Sequence, residues 1–213
     1  MGLVMFDYDG VIVDSFDQVC TDFITACRAH GFEIKNADDF NNLHDDNCYK
    51  VMKEQYGLKD ETIDDILREY EVTAGNHLNL NIFEGIRDAI NDISKKHMVV
   101  VITSNISENV CTVLRDNDVT AFEDVVGAEK EKSKIKKILR AMELYPSAPA
   151  YYIGDTAGDM IEGRKAGALT IAVAWGWHSP ERLKKTAPDY LVYTPGELAA
   201  FLCGTPVCGE QQF

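Results

Sequence analysis

Apolar and polar positions follow two different rhythms along this chain. From residue 81 onward, short apolar runs alternate with segments of helical periodicity. "MVVVIT" (98–103) is a continuous β-branched run, as expected of a strand covered on both faces. "YYIGD" (151–155), "LTIAVA" (169–174) and "YLVY" (190–193) predict further strands, and "LVMF" near the amino end predicts another. Between them the spacing predicts helices around 85–97, 107–117, 132–144 and 158–166. Gly167 fits a helix C-terminal cap, and Thr194-Pro195-Gly196-Glu197 reads as a capping box opening a last helix.

The section from 16 to 80 carries no strand signal. Phe16, Val19, Cys20, Phe23, Ile24 and Cys27 recur at helical spacing, and Gly31 can end that helix. "NNLHDDNCYKVMKEQYG" and "KDETIDDILREYEVTAG" each read as one amphipathic helix. Strands spaced by helices imply right-handed βαβ units and a parallel sheet. The expected fold is therefore α/β: a Rossmann-like core with helices on both faces, formed by 1–15 and 81–213, with an all-α insertion over 16–80. The end of the chain, 203–213, has no periodicity and is expected to be a loose tail.

With 213 residues, the chain can build one good core and a small insertion. Its net charge of −14 argues against nucleic acid, whose phosphates demand a basic footprint. No apolar run approaches the roughly 18–20 residues that span a bilayer. The six cysteines show no CxxC pair and no metal-ligand spacing, which suggests packing roles in a reducing cytoplasm. The sequence sets no oligomeric state.

In such a sheet, ligands bind beyond the carboxyl ends of the strands, and polar residues gather there. "LVMF" runs into Asp7-Tyr8-Asp9-Gly10, and alternation can turn both carboxylates toward one crevice. "VVVI" runs into Thr103-Ser104-Asn105, and "YYI" into Gly154-Asp155-Thr156-Ala157-Gly158-Asp159. "EKEKSKIKKIL" supplies lysines. Each piece taken singly has a plain reading as turn, helix cap or solvated face. Their joint order, each at the right end of a predicted strand, is what carries weight.

Together these motifs resemble the haloacid dehalogenase-like hydrolase superfamily. "DYDGVIVDS" is similar to its DxDG(T/V)xxDS, "VVVITSN" to its second motif, and "YIGDTAGDMIEGRKAGA" to its GDxxxDxxxAxxAG. The helical insertion after the first motif resembles the cap of phosphoglycolate phosphatase and β-phosphoglucomutase-like members. The family's third motif is a lysine followed by prolines that this chain lacks. Aligning on Ile138 and Leu139 places Lys132 there, ahead of Lys134.

The resemblance implies a phosphatase acting on a small phosphorylated metabolite through an aspartyl-phosphate, with 2-phosphoglycolate as the default substrate. Asp7 would be the nucleophile and Asp9 the general acid and base. Mg²⁺ would be held by Asp7, the backbone carbonyl of Asp9, and Asp155, with Asp159 oriented behind them. Thr103 and Lys132 would hold phosphoryl oxygens, helped by Gly10, Ser104 and Asn105. Asp9 itself speaks against dehalogenation, because family dehalogenases lack an aspartate there. A phosphomutase of the β-phosphoglucomutase type uses the same Asp pair and is the alternative; a non-catalytic phosphate- or metal-binding module is a third reading. Substrate choice is expected from His44, Asp46, Asn47, Tyr49 and Lys50, with Lys50 and Lys53 as candidate cations for a second anion. Trp177 and His178 are expected near the entrance, and Asp14-Ser15 and Leu80-Asn81 as linkers about which the insertion moves.

Overall fold

A computed structural model describes residues 1–74 and 79–204. Six parallel strands form one sheet: β1 (Leu3–Asp7), β2 (Met98–Ile102), β3 (Asp124–Val126), β4 (Ala150–Gly154), β5 (Leu169–Val173) and β6 (Tyr190–Val192). Their spatial order is β3-β2-β1-β4-β5-β6, so the winding reverses between β1 and β4. At such a reversal the flanking loops diverge and leave a crevice beyond the strand ends.

The apolar runs explain why these segments are strands. Leu3 and Met5 pack on one face of the sheet with Val100 and Ile138, while Val4 and Phe6 pack on the other with Ile90 and Val101. Both faces are thus buried, as continuous β-branched runs require. Helices α5 (Ile86–Ser94), α6 (Ser107–Asp116), α7 (Lys134–Leu144), α8 (Ala157–Lys165), α9 (Pro180–Lys184) and α10 (Pro195–Cys203) complete this layer. Thr194 caps α10 by accepting from the Glu197 amide. Cys203 closes α10 and Gly204 caps it, so the helix takes the first residue assigned to the tail; 205–213 lie outside the described residues.

Between β1 and β2 the chain makes α1 (Phe16–Ala29), α2 (Ala37–Leu43), α3 (Cys48–Glu54) and α4 (Asp60–Ala74). These share a separate core that includes Phe23, Phe40, Leu43, Met52 and Ile66. The segment 41–57, expected as one helix, is two. Asn47 breaks it, leaving the helical path and capping α3 by accepting from the Lys50 amide. The turn this creates is used: the His44 carbonyl accepts from the Gly158 amide at 2.9 Å. A Cβ at Gly158 would lie 2.7 Å from the Asp46 carbonyl oxygen, so only glycine permits that approach.

More contacts fasten the helical bundle to α8 and α9. Asn47 Nδ2 donates to Glu162 at 2.9 Å, and Arg182 donates to Asp45 and Asn42. His178 Nδ1 accepts from the Ala157 amide, which leaves the proton on Nε2 to be donated to the Asn41 carbonyl at 3.1 Å. Among the described residues, no helix is long and apolar enough to cross a membrane.

Candidate active site

The register of the sheet builds the site. Asp7, the last residue of β1, pairs with Ile102 on one side, and Phe6 pairs with Ile153 on the other. Asp7, Thr103 and Asp155 therefore emerge side by side at the point where the winding reverses. All three are buried. Carboxylate oxygens of Asp7, Asp155 and Asp159 lie within 4.8 Å of one another.

Each acid has a different environment. Asp159 is saturated: Oδ1 accepts from Lys134 at 2.7 Å and from the Tyr152 hydroxyl at 3.1 Å, and Oδ2 from the Thr156 amide and hydroxyl. Burial alone would raise its pKa, but Lys134 and the Thr156 donors outweigh burial and hold it below the ordinary carboxylate value. Asp155 is the opposite case. Its Oδ2 accepts from the Trp177 amide at 2.7 Å, whereas its Oδ1 is buried with no hydrogen-bond partner. Burial first, then Asp159 and Asp7, push Asp155 well above the ordinary value. Asp7 is raised to about 8, chiefly by burial, with Lys134 3.0 Å from its Oδ2 pulling the other way.

A buried carboxylate oxygen without a donor is costly unless a cation meets it. Asp7 and Asp155 offer hard oxygen donors for a cation such as Mg²⁺, and they fit one. Both oxygens of Asp159 are already taken by Lys134, Tyr152 and Thr156.

Gly10 keeps the loop clear. Its φ is +72°, and a Cβ there would sit 2.0 Å from Asp155 Oδ2. Gly10→Ala is expected to destabilise the fold by more than about 1 kcal/mol and to displace Asp155, read as a lower Tm together with weaker Mg²⁺ binding in a calorimetric titration. The Gly10 amide, expected among the phosphate donors, instead donates to the Val13 carbonyl at 3.0 Å and holds the loop.

Asp9 is fixed by two side chains: Ser15 Oγ donates to Oδ1 and Asn105 Nδ2 to Oδ2, both at 2.7 Å. Asn105, expected on phosphate, is thus an anchor for Asp9. Burial raises the Asp9 pKa, against the lowering effect of these bonds and of Lys134. Thr103 Oγ1 accepts from the Asn105 amide, which leaves its proton free to be given to a ligand. Ser104 is exposed on the same loop.

The lysine that the fold brings to these acids is Lys134; Lys132, expected there, lies elsewhere. Ser133 caps α7, so Lys134 opens the first turn with its side chain 15% exposed, bridging Asp7 and Asp159. Lys132 precedes the helix, is 71% exposed and lies 3.6 Å from Asp64. The alignment on apolar residues rested on Ile138 and Leu139, of which Ile138 is buried and Leu139 is 43% exposed. Burial opposes the charge on Lys134, but Asp159 and Asp7 outweigh it and raise its pKa well above the ordinary value. Lys137, unremarked in the sequence, is buried one turn on and donates to the Thr103 carbonyl, fixing that loop from behind.

The residues expected to choose the substrate make contacts within the bundle and with α8. His44, Asn47 and the turn around Asp46 dock the bundle on α8. Lys50 pairs with Asp46 and Lys53 with Asp60, and neither is among the described residues that line the crevice beside Asp9. Tyr49 packs on the bundle core. Trp177 packs against Phe16, Phe40 and His44 with ring centroids 5.2–5.7 Å apart. The crevice wall beside Asp9 is made instead by α1 and α4, through Gln18, Asp22, Tyr70 and Glu71.

A doubly wound sheet thus carries an Asp-x-Asp loop, a buried lysine and a paired acid motif at its reversal point, an arrangement suited to phosphoryl transfer. The comparisons agree: the model of the haloacid dehalogenase-like hydrolase family matches residues 4–173, and the chain belongs to that family. It is 25% identical over 207 residues to a phosphoglycolate phosphatase of Synechococcus elongatus, covering 93% of this chain and 95% of the relative. It is 20% identical to the pyrophosphatase PpaX of Bacillus mycoides, at 93% and 95% coverage. In fold it is similar to a predicted phosphatase from Clostridium acetobutylicum, with TM-score 0.82, 22% identity, and 95% and 98% coverage. The chain is an enzyme of the family's phosphatase kind.

Proposed function

We propose that this enzyme hydrolyses small phosphomonoesters with the help of Mg²⁺, passing the phosphoryl group through Asp7. The observation that carries this reading is the set around Asp7: Lys134 at 3.0 Å, the partnerless oxygen of Asp155, and Asp9 held two residues on. Mg²⁺ held by Asp7, the Asp9 carbonyl and Asp155 would offset the charge on phosphate and acids.

In the first step an Asp7 oxygen bonds to phosphorus while the bond from phosphorus to the alcohol oxygen breaks. Asp9, whose raised pKa lets it carry a proton, protonates the departing oxygen. In the second step Asp9, now ionised, takes a proton from water as the water oxygen attacks phosphorus, and Asp7 leaves as a free carboxylate. Ser15 can accept or donate, so it tolerates both states of Asp9. Lys134 and Thr103 orient phosphoryl oxygens throughout. The helical bundle over 16–80 acts as a cap in this reading, and the free cysteines suit a reducing cytoplasm.

The test is phosphate release from a panel of phosphomonoesters with and without Mg²⁺. Asp7→Asn is expected to lower turnover by about a thousandfold or more. Undiminished turnover in that variant would sink the reading. Hexose phosphates consumed without phosphate release would identify a mutase instead.

A further inference from the structure

Lys137 puts a second ammonium behind the site, fully buried on α7 one turn beyond Lys134. An ammonium taken out of water is costly, and a structural lysine in such a place is normally answered by a carboxylate. Lys137 instead donates to a neutral atom, the Thr103 carbonyl oxygen. Burial first, and then the like charge of Lys134, bring its pKa down to about 8, while Asp7, Glu162 and Glu129 pull the other way. At pH 7 it is therefore still mainly charged.

The carbonyl that Lys137 holds belongs to the loop leaving β2. The Thr103 amide donates to the Val126 carbonyl at 3.1 Å, which ties the loop to the end of β3. Thr103 Oγ1 accepts from the Asn105 amide at 3.0 Å, and the Asn105 carbonyl accepts from the Ala128 amide at 2.9 Å. Asn105 Nδ2 in turn donates to Asp9 at 2.7 Å. A continuous run of bonds thus leads from the Lys137 ammonium through Thr103 and Asn105 to the Asp9 carboxylate. The held carbonyl also shares its peptide group with the Ser104 amide, and a positive charge on the oxygen polarises that N–H toward an acceptor.

We propose that Lys137 is a positioning residue for phosphoryl transfer: by holding the Thr103 carbonyl it sets the Thr103 hydroxyl and the Ser104 amide toward the phosphoryl oxygens and keeps Asn105 on Asp9. This rests on the phosphatase reading and deepens it. Without that bond the carbonyl of a fully buried Thr103 loses its donor, and the loop turns to find another. The Thr103 hydroxyl then leaves its place, and Asp9 loses a bond that aims its proton at the departing oxygen. Misplacement by about 1 Å at such groups costs up to about a hundredfold in rate.

The experiment reads kcat/KM at pH 7 for two esters: glycerol 1-phosphate, whose alkoxide must be protonated to leave, and p-nitrophenyl phosphate, whose phenolate leaves without a proton. This quantity reports the first step, in which Asp9 is the acid. Lys137→Met is expected to cost about a hundredfold for glycerol 1-phosphate and about tenfold for p-nitrophenyl phosphate, a shift of about tenfold in their ratio. Both esters are read on one preparation, so an unfolded fraction cancels from the ratio. Lys137→Gln, which keeps a neutral donor, is read the same way and is expected to fall between. Asn105→Ala is expected to shift the ratio in the same direction, and Lys137→Met added to it to shift it little further, because both act on Asp9 through one loop. An unchanged ratio in Lys137→Met, or shifts that add in the double variant, would overturn the inference while wild-type turnover left the phosphatase reading intact. No Mg²⁺-dependent release from either ester by the wild type would overturn both.

Discussion

Lys134→Met is expected to lower phosphate release by about 10²–10³-fold and stability by roughly 3–5 kcal/mol, while Lys132→Ala changes stability by no more than about 0.5 kcal/mol. The contrast follows from where the two ammonium groups lie. Lys134 is the cation held between two buried carboxylates, at 3.0 Å from Asp7 and 2.7 Å from Asp159. Removing it leaves both acids facing each other, and Asp159 loses the main influence that holds its pKa down. Methionine preserves most of the side-chain volume, so the loss reports charge more than packing. Lys132 is solvated, and its 3.6 Å pair with Asp64 is of the exposed kind that contributes little. Denaturant unfolding and phosphate release on both variants check this. A damaging Lys132→Ala beside an innocuous Lys134→Met would refute the assignment.

Asp155→Asn is expected to raise the Tm of the metal-free protein at pH 8 by about 4–8 °C, corresponding to roughly 2 kcal/mol, and to abolish both the Mg²⁺-induced rise in Tm and turnover. Asp7 and Asp155 are carboxyls whose folded-state pKa lies above the unfolded value. Such groups take up protons on folding, so stability falls as pH rises past the unfolded value. For Asp7 the window runs from 3.8 to about 8. Metal-free wild type should therefore lose stability across it, and Mg²⁺, which requires ionised ligands, should raise Tm more at pH 8 than at pH 5. The neutral amide at 155 removes one of the repelling charges and with it part of this slope. Scanning calorimetry at both pH values decides the matter. A variant less stable than wild type at pH 8 would show that Asp155 is not strained by its surroundings.

Most of the sheet was legible because its strands are buried on both faces, and burial on both faces leaves an uninterrupted apolar run. β3 was missed: its three residues, Asp124–Val126, are too few to make a pattern. α9, five residues long, was missed for the same reason. The acids of the site were legible because strand ends converge by rule. Lys134 was not, since adjacent lysines differ only in which side of the capping Ser133 they stand, and the apolar register rested in part on the exposed Leu139. The crevice wall was invisible. Gln18 and Asp22 lie four apart on α1, and a polar stripe facing a crevice has the same spacing as one facing water. Asn47 was readable in principle as a helix cap, but the apolar periodicity around it masked the break.

The hydrogen bonds that fasten the bundle to α8 and α9 come from α2, α3 and the turn between them, by way of His44, Asn47 and Asp45, whereas α1 and α4 form the crevice wall. The anchoring bonds and the crevice wall thus lie mainly on different helices. Mutations at Gln18, Tyr70 or Glu71 can alter what is accepted while the anchoring bonds stay as they are. A lineage carrying this arrangement can therefore drift among substrates without first passing through a detached, inactive form, and a library randomised at those three positions alone would sample new specificities on a constant framework.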